Sequence, residues 1–286
     1  MRVEVRRVLW QDELLPFTLA HPAAVLPLRR TKLVFSALIV GAMAPDFPDF
    51  VFVDDPNHWF HSTAGVLLFC LPAGLLVLWL YHTVAKRPLL DVAPDFFRVR
   101  ISEADLSFRF APASRLMLIV ASLLIGSVSH VLWDSFTHPY GYFVRHWPFL
   151  SVPVMTYRLM PLCRALQLGC SVAAVVIIAG AALWWFCRRS VVKKPMTSRL
   201  TPGLRRLIPL LVFFVAAGIG YFYGFIHNHG EGWKYSLVDM TIAAMSMGCG
   251  EILLFSGAWH IWRRRQNSEP AEMQARSAKI TATVER

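Results

Sequence analysis

Hydrophobic positions in this chain gather into long runs separated by short polar stretches. A membrane-crossing helix needs ~20 predominantly apolar residues. Five runs meet that length: Phe60–His82, Arg115–Asp134, Ala165–Cys187, Leu207–His227 and Met240–Trp262. Two earlier runs are too short to cross. "FTLAHPAAVLPL" covers Phe17 to Leu28, and "LVFSALIVGAMAP" covers Leu33 to Pro45, with "RRTK" between them. Pro22 and Pro27 interrupt the first, because proline lacks the N–H that a helix interior requires. The pattern predicts an all-α fold: a polytopic helical membrane protein with five transmembrane helices and a short N-terminal broken or re-entrant helical pair.

Composition agrees with that picture. Of 286 residues, 56 % are hydrophobic and only 16 % charged, which is too apolar for an ordinary soluble domain. The net charge of +11 suggests nucleic acid at first. However, the basic residues flank apolar runs and form no single patch, so they read as topology signals and nucleic acid is not an expected partner. Lys and Arg concentrate in the loops 83–114 and 188–206 and at Arg263, Arg264 and Arg265, alternating with the poorer stretches 54–59, 139–162 and 228–236. The first set is therefore expected on the cytoplasmic side of an inner membrane, with the C-terminus cytoplasmic. The five cysteines lie in or beside apolar segments without a C-x-x-C pair, as small buried hydrophobes do. The expected organisation is an N-terminal extension at 1–15, a helical membrane domain at 16–262 with a cytoplasmic connector at 83–114, and a disordered tail at 263–286.

Polar residues then stand out by position. Asp46 and Asp49 follow the second short run, and His58 and His61 open the first full span. In "SHVLWDSFTH", His130, Asp134 and His138 follow one another at four-residue spacing, which lines them along one helix stripe. His227 and His229 lie beyond the fourth span. All of these fall near the outer face. Taken singly, each reads as an interfacial or capping residue. Together, Asp46, His61, His130 and Asp134 read as ligands of a divalent metal, zinc foremost, since imidazole and carboxylate suit such ions and intramembrane ionisable groups default to function. Glu251, near mid-membrane, reads equally as a residue supporting the site, a proton relay or a helix-packing group.

Four stretches, "LPFTLAHPAAVLPL", "GAMAPDFPDF", "HSTAGVLLFCLPAGLL" and "GSVSHVLWDSFTHPYG", occur in this order. They closely resemble a bacterial multi-pass membrane family, domain of unknown function 4184, from about residue 16 into the fifth apolar segment. Related chains tend to begin at the Pro-Phe-Thr, so the residues before Leu15 look like an extension. The same order of histidines and aspartates also resembles the membrane-bound metal-dependent hydrolases and, more remotely, the zinc-dependent phospholipase C fold. That resemblance adds His21 to Asp46, His61, His130 and Asp134 as metal ligands, with His138 as a sixth reaching a second ion. The phospholipase's later H-x-x-x-E pair has no counterpart, because Leu150 stands four residues after His146.

His21 tests this expectation. One unbroken helix would carry it ~37 Å from Asp46, so the two short runs must fold back as a hairpin with "RRTK" at its tip, reaching toward the cytoplasmic interface. The function expected is a metal-dependent hydrolase of an ester or phosphoester at the outer membrane face, its partners being the bilayer and a lipid or lipid-linked substrate. The alternative is a non-enzymatic multi-pass protein, either a transporter or the holder of a structural metal.

Overall fold

The computed structural model describes residues 18–53, 55–155, 160–227 and 233–284. The expected extension at 1–15 and His229 lie outside them. Five helices are long and apolar enough to cross a membrane, at Thr63–Val92, Ala113–His146, Leu162–Arg188, Pro202–Ile226 and Leu237–Gln266, matching the five predicted runs. Their outward faces carry side chains such as Leu68, Val172 and Phe213, each more than 60 % exposed, as lipid contact requires.

The two short runs do fold back on each other. Thr18–Arg30 is a 3-10 helix containing Pro22 and Pro27. Its end turns at Thr31, whose hydroxyl donates to the Leu28 carbonyl at 2.7 Å. The chain returns as helix α1, Phe35–Gly41, and then a 3-10 turn, Ala44–Asp46. Arg29, at the tip, stacks over the Trp184 ring at 4.8 Å. Trp184 stands near the basic end of its own span, so the hairpin tip points to the arginine-rich end.

Broken helix at membrane depth is tolerated only where protein satisfies its free backbone groups. Here the span Ala113–Thr137, helix α3, does so. Ser122 Oγ accepts from the Val34 amide at 2.9 Å, and Ser127 Oγ donates to the Gly41 carbonyl at 3.1 Å. Gly41 and Gly126 make the crossing close. A Cβ at Gly41 would strike the Leu123 carbonyl, and one at Gly126 the Leu38 carbonyl. The apolar part of the interface is Val34, Ala37, Leu78, Ile119 and Leu123, with Leu78 supplied by helix α2, the span Thr63–Val92.

The remaining elements frame this core. Helix α4, Tyr142–His146, and a two-stranded antiparallel hairpin, β1 at Pro153–Met155 with β2 at Met160–Pro161, occupy the loop after α3. That small hairpin is a departure from an all-helical pattern. Helix α5, Leu162–Arg188, packs along the first arm. Helices α6, Pro202–His227, and α7, Trp233–Val284, pair with each other. The backbone of α7 is helical through Val284. At the arginine-rich end, loops 83–112 and 189–201 join: Val192 donates to Val99 O at 3.0 Å and Met196 to Ile101 O at 2.9 Å.

Candidate metal centre

The hairpin brings His21 and Asp46 to the same end of α3, where they meet His61, His130, Asp134 and His138. Local chemistry fixes each part. Asp46 ends the short Pro-containing turn after α1. His61 ends a 3-10 turn, Trp59–His61, held by the Asp55 carboxylate, which accepts from the Trp59 amide at 2.7 Å and the Phe60 amide at 3.0 Å. Ser62 then caps the following helix, accepting from Gly65 N at 3.1 Å.

His130 is fully buried and its Nδ1 lies 2.8 Å from the Ala42 carbonyl. A carbonyl only accepts, so the neutral ring carries its proton on Nδ1 and leaves the Nε2 lone pair free. Metal-ligating histidines show this pattern, the second nitrogen being anchored to a carbonyl. His130 Nε2 stands 3.1 Å from Asp46 Oδ1 and 3.0 Å from Asp134 Oδ2. His61 Nε2 stands 3.4 and 3.5 Å from the same two oxygens. Neither Nε2 makes a hydrogen bond of normal geometry. Four ligands placed at the usual ~2.0–2.2 Å around a tetrahedral ion are separated by about 3.3–3.6 Å, near the longer of these spacings. The ligand atoms of Asp46, His61, His130 and Asp134 all lie within 4.8 Å of one another, so these four residues could hold one metal ion.

Charge supports the same conclusion. Asp46 and Asp134 are buried, and among the described residues no Lys or Arg pairs with either. Buried carboxylates need compensation. A divalent cation at their meeting point would neutralise both.

His21 and His138 take flanking positions. The His21 ring stacks on His130 with centroids 3.7 Å apart, its Nε2 lies 3.7 Å from Asp134 Oδ1, and its Nδ1 has no hydrogen-bond partner. His138 Nδ1 is 3.3 Å from Asp134 Oδ1 and 3.2 Å from Thr137 Oγ1. Its Nε2 meets the Gln167 amide at 2.9 Å. Arg164 donates to Gln167 Oε1 at 2.8 Å, which turns the amide N–H₂ toward His138.

The cluster opens onto a cavity of about 190 Å³ whose lining includes Asp49, His58, Trp133, Tyr140 and Gln167. The His58 and Tyr140 rings stack at 3.6 Å. Sequence reasoning missed Gln167, Tyr140 and the Ala42 carbonyl. Gln167 had a signal, a lone amide inside an apolar span. The other two had none. Glu251 does not line this cavity, and both its carboxylate oxygens are buried without a hydrogen-bond partner.

No curated protein and no solved structure matches the chain. A family model does, over residues 15–257, the stretch that contains every residue of the centre, and the chain therefore belongs to the family described as Domain of unknown function (DUF4184).

Proposed function

We propose that this protein is a membrane-bound metal-dependent hydrolase acting on an ester or phosphoester, and that Asp46, His61, His130 and Asp134 hold its divalent ion, zinc or one of similar preference. One observation carries the reading: the two-carboxylate, two-imidazole cluster opens into a cavity and is not sealed by packing. These residues would hold an ion whose chemistry, when bound, would be Lewis acidity and activation of a water at neutral pH. The side chains do the rest. The Ala42 carbonyl holds the His130 tautomer, and His138, itself held by Gln167 and Thr137, orients Asp134. His21, stacked on His130 with its Nε2 3.7 Å from Asp134 Oδ1, would accept a proton from the attacking water. In the reaction, the water oxygen bonds to the phosphorus or acyl carbon as its proton passes to His21, the bond to the leaving oxygen breaks, and that oxygen takes up the proton from His21. The loop charges support an orientation with the centre at the outer face and the C-terminus cytoplasmic, where a lipid or lipid-linked ester could reach it.

A structural ion is the second reading, favoured by the number of protein ligands, since four commonly close a zinc site. Metal analysis of detergent-purified protein, prepared without chelators, tests both. Wild type should carry about one equivalent of zinc or a similar ion, and Asp134→Ala should lose most of it. Absence of metal from both would overturn the proposal. Metal without turnover of phosphodiester or ester substrates would favour the structural ion.

A further inference from the structure

A second cavity, of about 300 Å³, meets the first at the centre. The two share His58, His61, Asp134 and Tyr140 but differ in charge. The first adds the carboxylates of Asp46, Asp49 and Asp55. In the second, Arg145 is the only charged lining residue apart from the shared groups. Arg145 is placed by a tight turn. The Gly141 amide donates to the His138 carbonyl at 2.8 Å, and a Cβ at Gly141 would strike the Asp134 and Ser135 carbonyls. This close approach seats α4, and Arg145 on it, against the end of α3 that bears Asp134. No ion pair engages the Arg145 guanidinium among the described residues, whereas Arg87, Arg98, Arg189 and Arg205 all have carboxylate partners.

With Asp46 and Asp134 neutralised by an ion, an anionic substrate would still meet Asp49 and Asp55 along the first cavity and the Arg145 guanidinium along the second. Guanidinium matches the oxygens of a phosphate in a bidentate fork. We propose that Arg145 is the substrate-recognising cation of the centre and that the substrate is a phosphoester, its phosphoryl oxygens paired by Arg145 beside the residues that would hold the ion. This rests on the metal-dependent reading above and narrows it, since an uncharged carboxylic ester offers Arg145 only neutral acceptors in place of a charged pair of oxygens.

The test uses full-length, metal-loaded protein in detergent and inorganic phosphate as the probe, followed by calorimetric titration, with acetate as the comparison anion. Metal content is measured on every sample. Wild type should bind phosphate more tightly than acetate. Arg145→Ala should weaken phosphate by roughly 10–100-fold, the usual loss for a charged hydrogen-bond partner, and Arg145→Lys by less. Metal content should be the same in all three. Equal phosphate affinity in wild type and Arg145→Ala, both metal-loaded, overturns this inference alone, as does a preference for acetate. Wild type without metal overturns the hydrolase reading and this inference with it.

Discussion

Asp91, at the arginine-rich end of the bundle, is 1 % exposed, and each of its carboxylate oxygens meets a protein donor: the Trp259 indole at 2.7 Å and the Arg199 amide at 3.1 Å. Asp105, nearby, is served by the Ser102 amide, the Ser102 hydroxyl and Arg189. At the opposite end Asp46 and Asp134 are as deeply buried, yet they face imidazole nitrogens, and Asp134 Oδ1 has no hydrogen-bond partner. Both ends bury negative charge. One satisfies it with donors built into the fold; the other sets the free Nε2 lone pair of His130 beside both carboxylates. The first arrangement tethers loops to helices, and the second has the donor set of a metal site.

Removing the ion should expose this difference most. A ligand present at 1,000 times its dissociation constant stabilises the folded state by about 4 kcal/mol. Chelator should therefore lower the unfolding temperature of metal-loaded wild type and leave Asp134→Ala unmoved. Equal chelator responses would place the stabilising ion elsewhere. Acid should separate the two ends as well. Protons compete with metal for imidazole nitrogens, which ordinarily titrate near about 6.5, so dialysis should show metal released between about pH 7 and 5. The other end holds further into acid. Burial pushes the Asp105 carboxyl up, but hydrogen bonds from Ser102 and Arg189 outweigh it and bring it from 3.8 down to about 2. A carboxyl depressed by folding adds stability that is complete above its unfolded value of 3.8 and is lost as pH falls toward 2. Asp105→Asn should flatten that acid decline without altering metal content at pH 7.

Asp91→Ala should give the next largest effect. It leaves an indole N–H and a backbone N–H buried without acceptors, at ~1–3 kcal/mol for each. Denaturant unfolding should show a loss of about 2–6 kcal/mol, and Trp259→Phe, which removes one donor, a smaller one. Neither substitution should change metal stoichiometry. If either does, the two ends are coupled through the bundle and are not independent solutions to the same problem.

The four-residue spacing that marks His130, Asp134 and His138 continues backward to Gly126 and Ser122, and that whole stripe faces the N-terminal hairpin. Much of the centre was therefore readable. A helix stripe of small and polar residues inside an apolar run must face protein, and two runs too short to cross had to fold back. The Ala42 carbonyl was not readable, because a backbone acceptor leaves no trace in residue identity. Nor was the role of Gln167, which depends on how α5 is rotated about its axis, a matter of packing against the first arm.

Gln167 offers the finest probe of the contrast, because it brings to the metal end the kind of donor bonding that typifies the other. Arg164 fixes the amide so that Nε2 donates to His138 Nε2, which places the imidazole proton on Nδ1. There it faces Asp134 Oδ1 and Thr137 Oγ1. The Thr137 hydroxyl spends its own proton on the Trp133 carbonyl at 3.2 Å, so its oxygen is free to accept. Gln167→Leu removes the donor, frees His138 to change tautomer and lets Asp134 rotate. Residues that orient metal ligands typically carry 10–100-fold in affinity, so a competition titration should show a loss near the lower end of about that range, with stoichiometry intact. Arg164→Met, which loosens the amide without deleting it, should cost less again. A Gln167→Leu protein as metal-free as Asp134→Ala would make this bond a condition for the centre to form at all. An unchanged affinity would show that Asp134 is already held by His130 and His61.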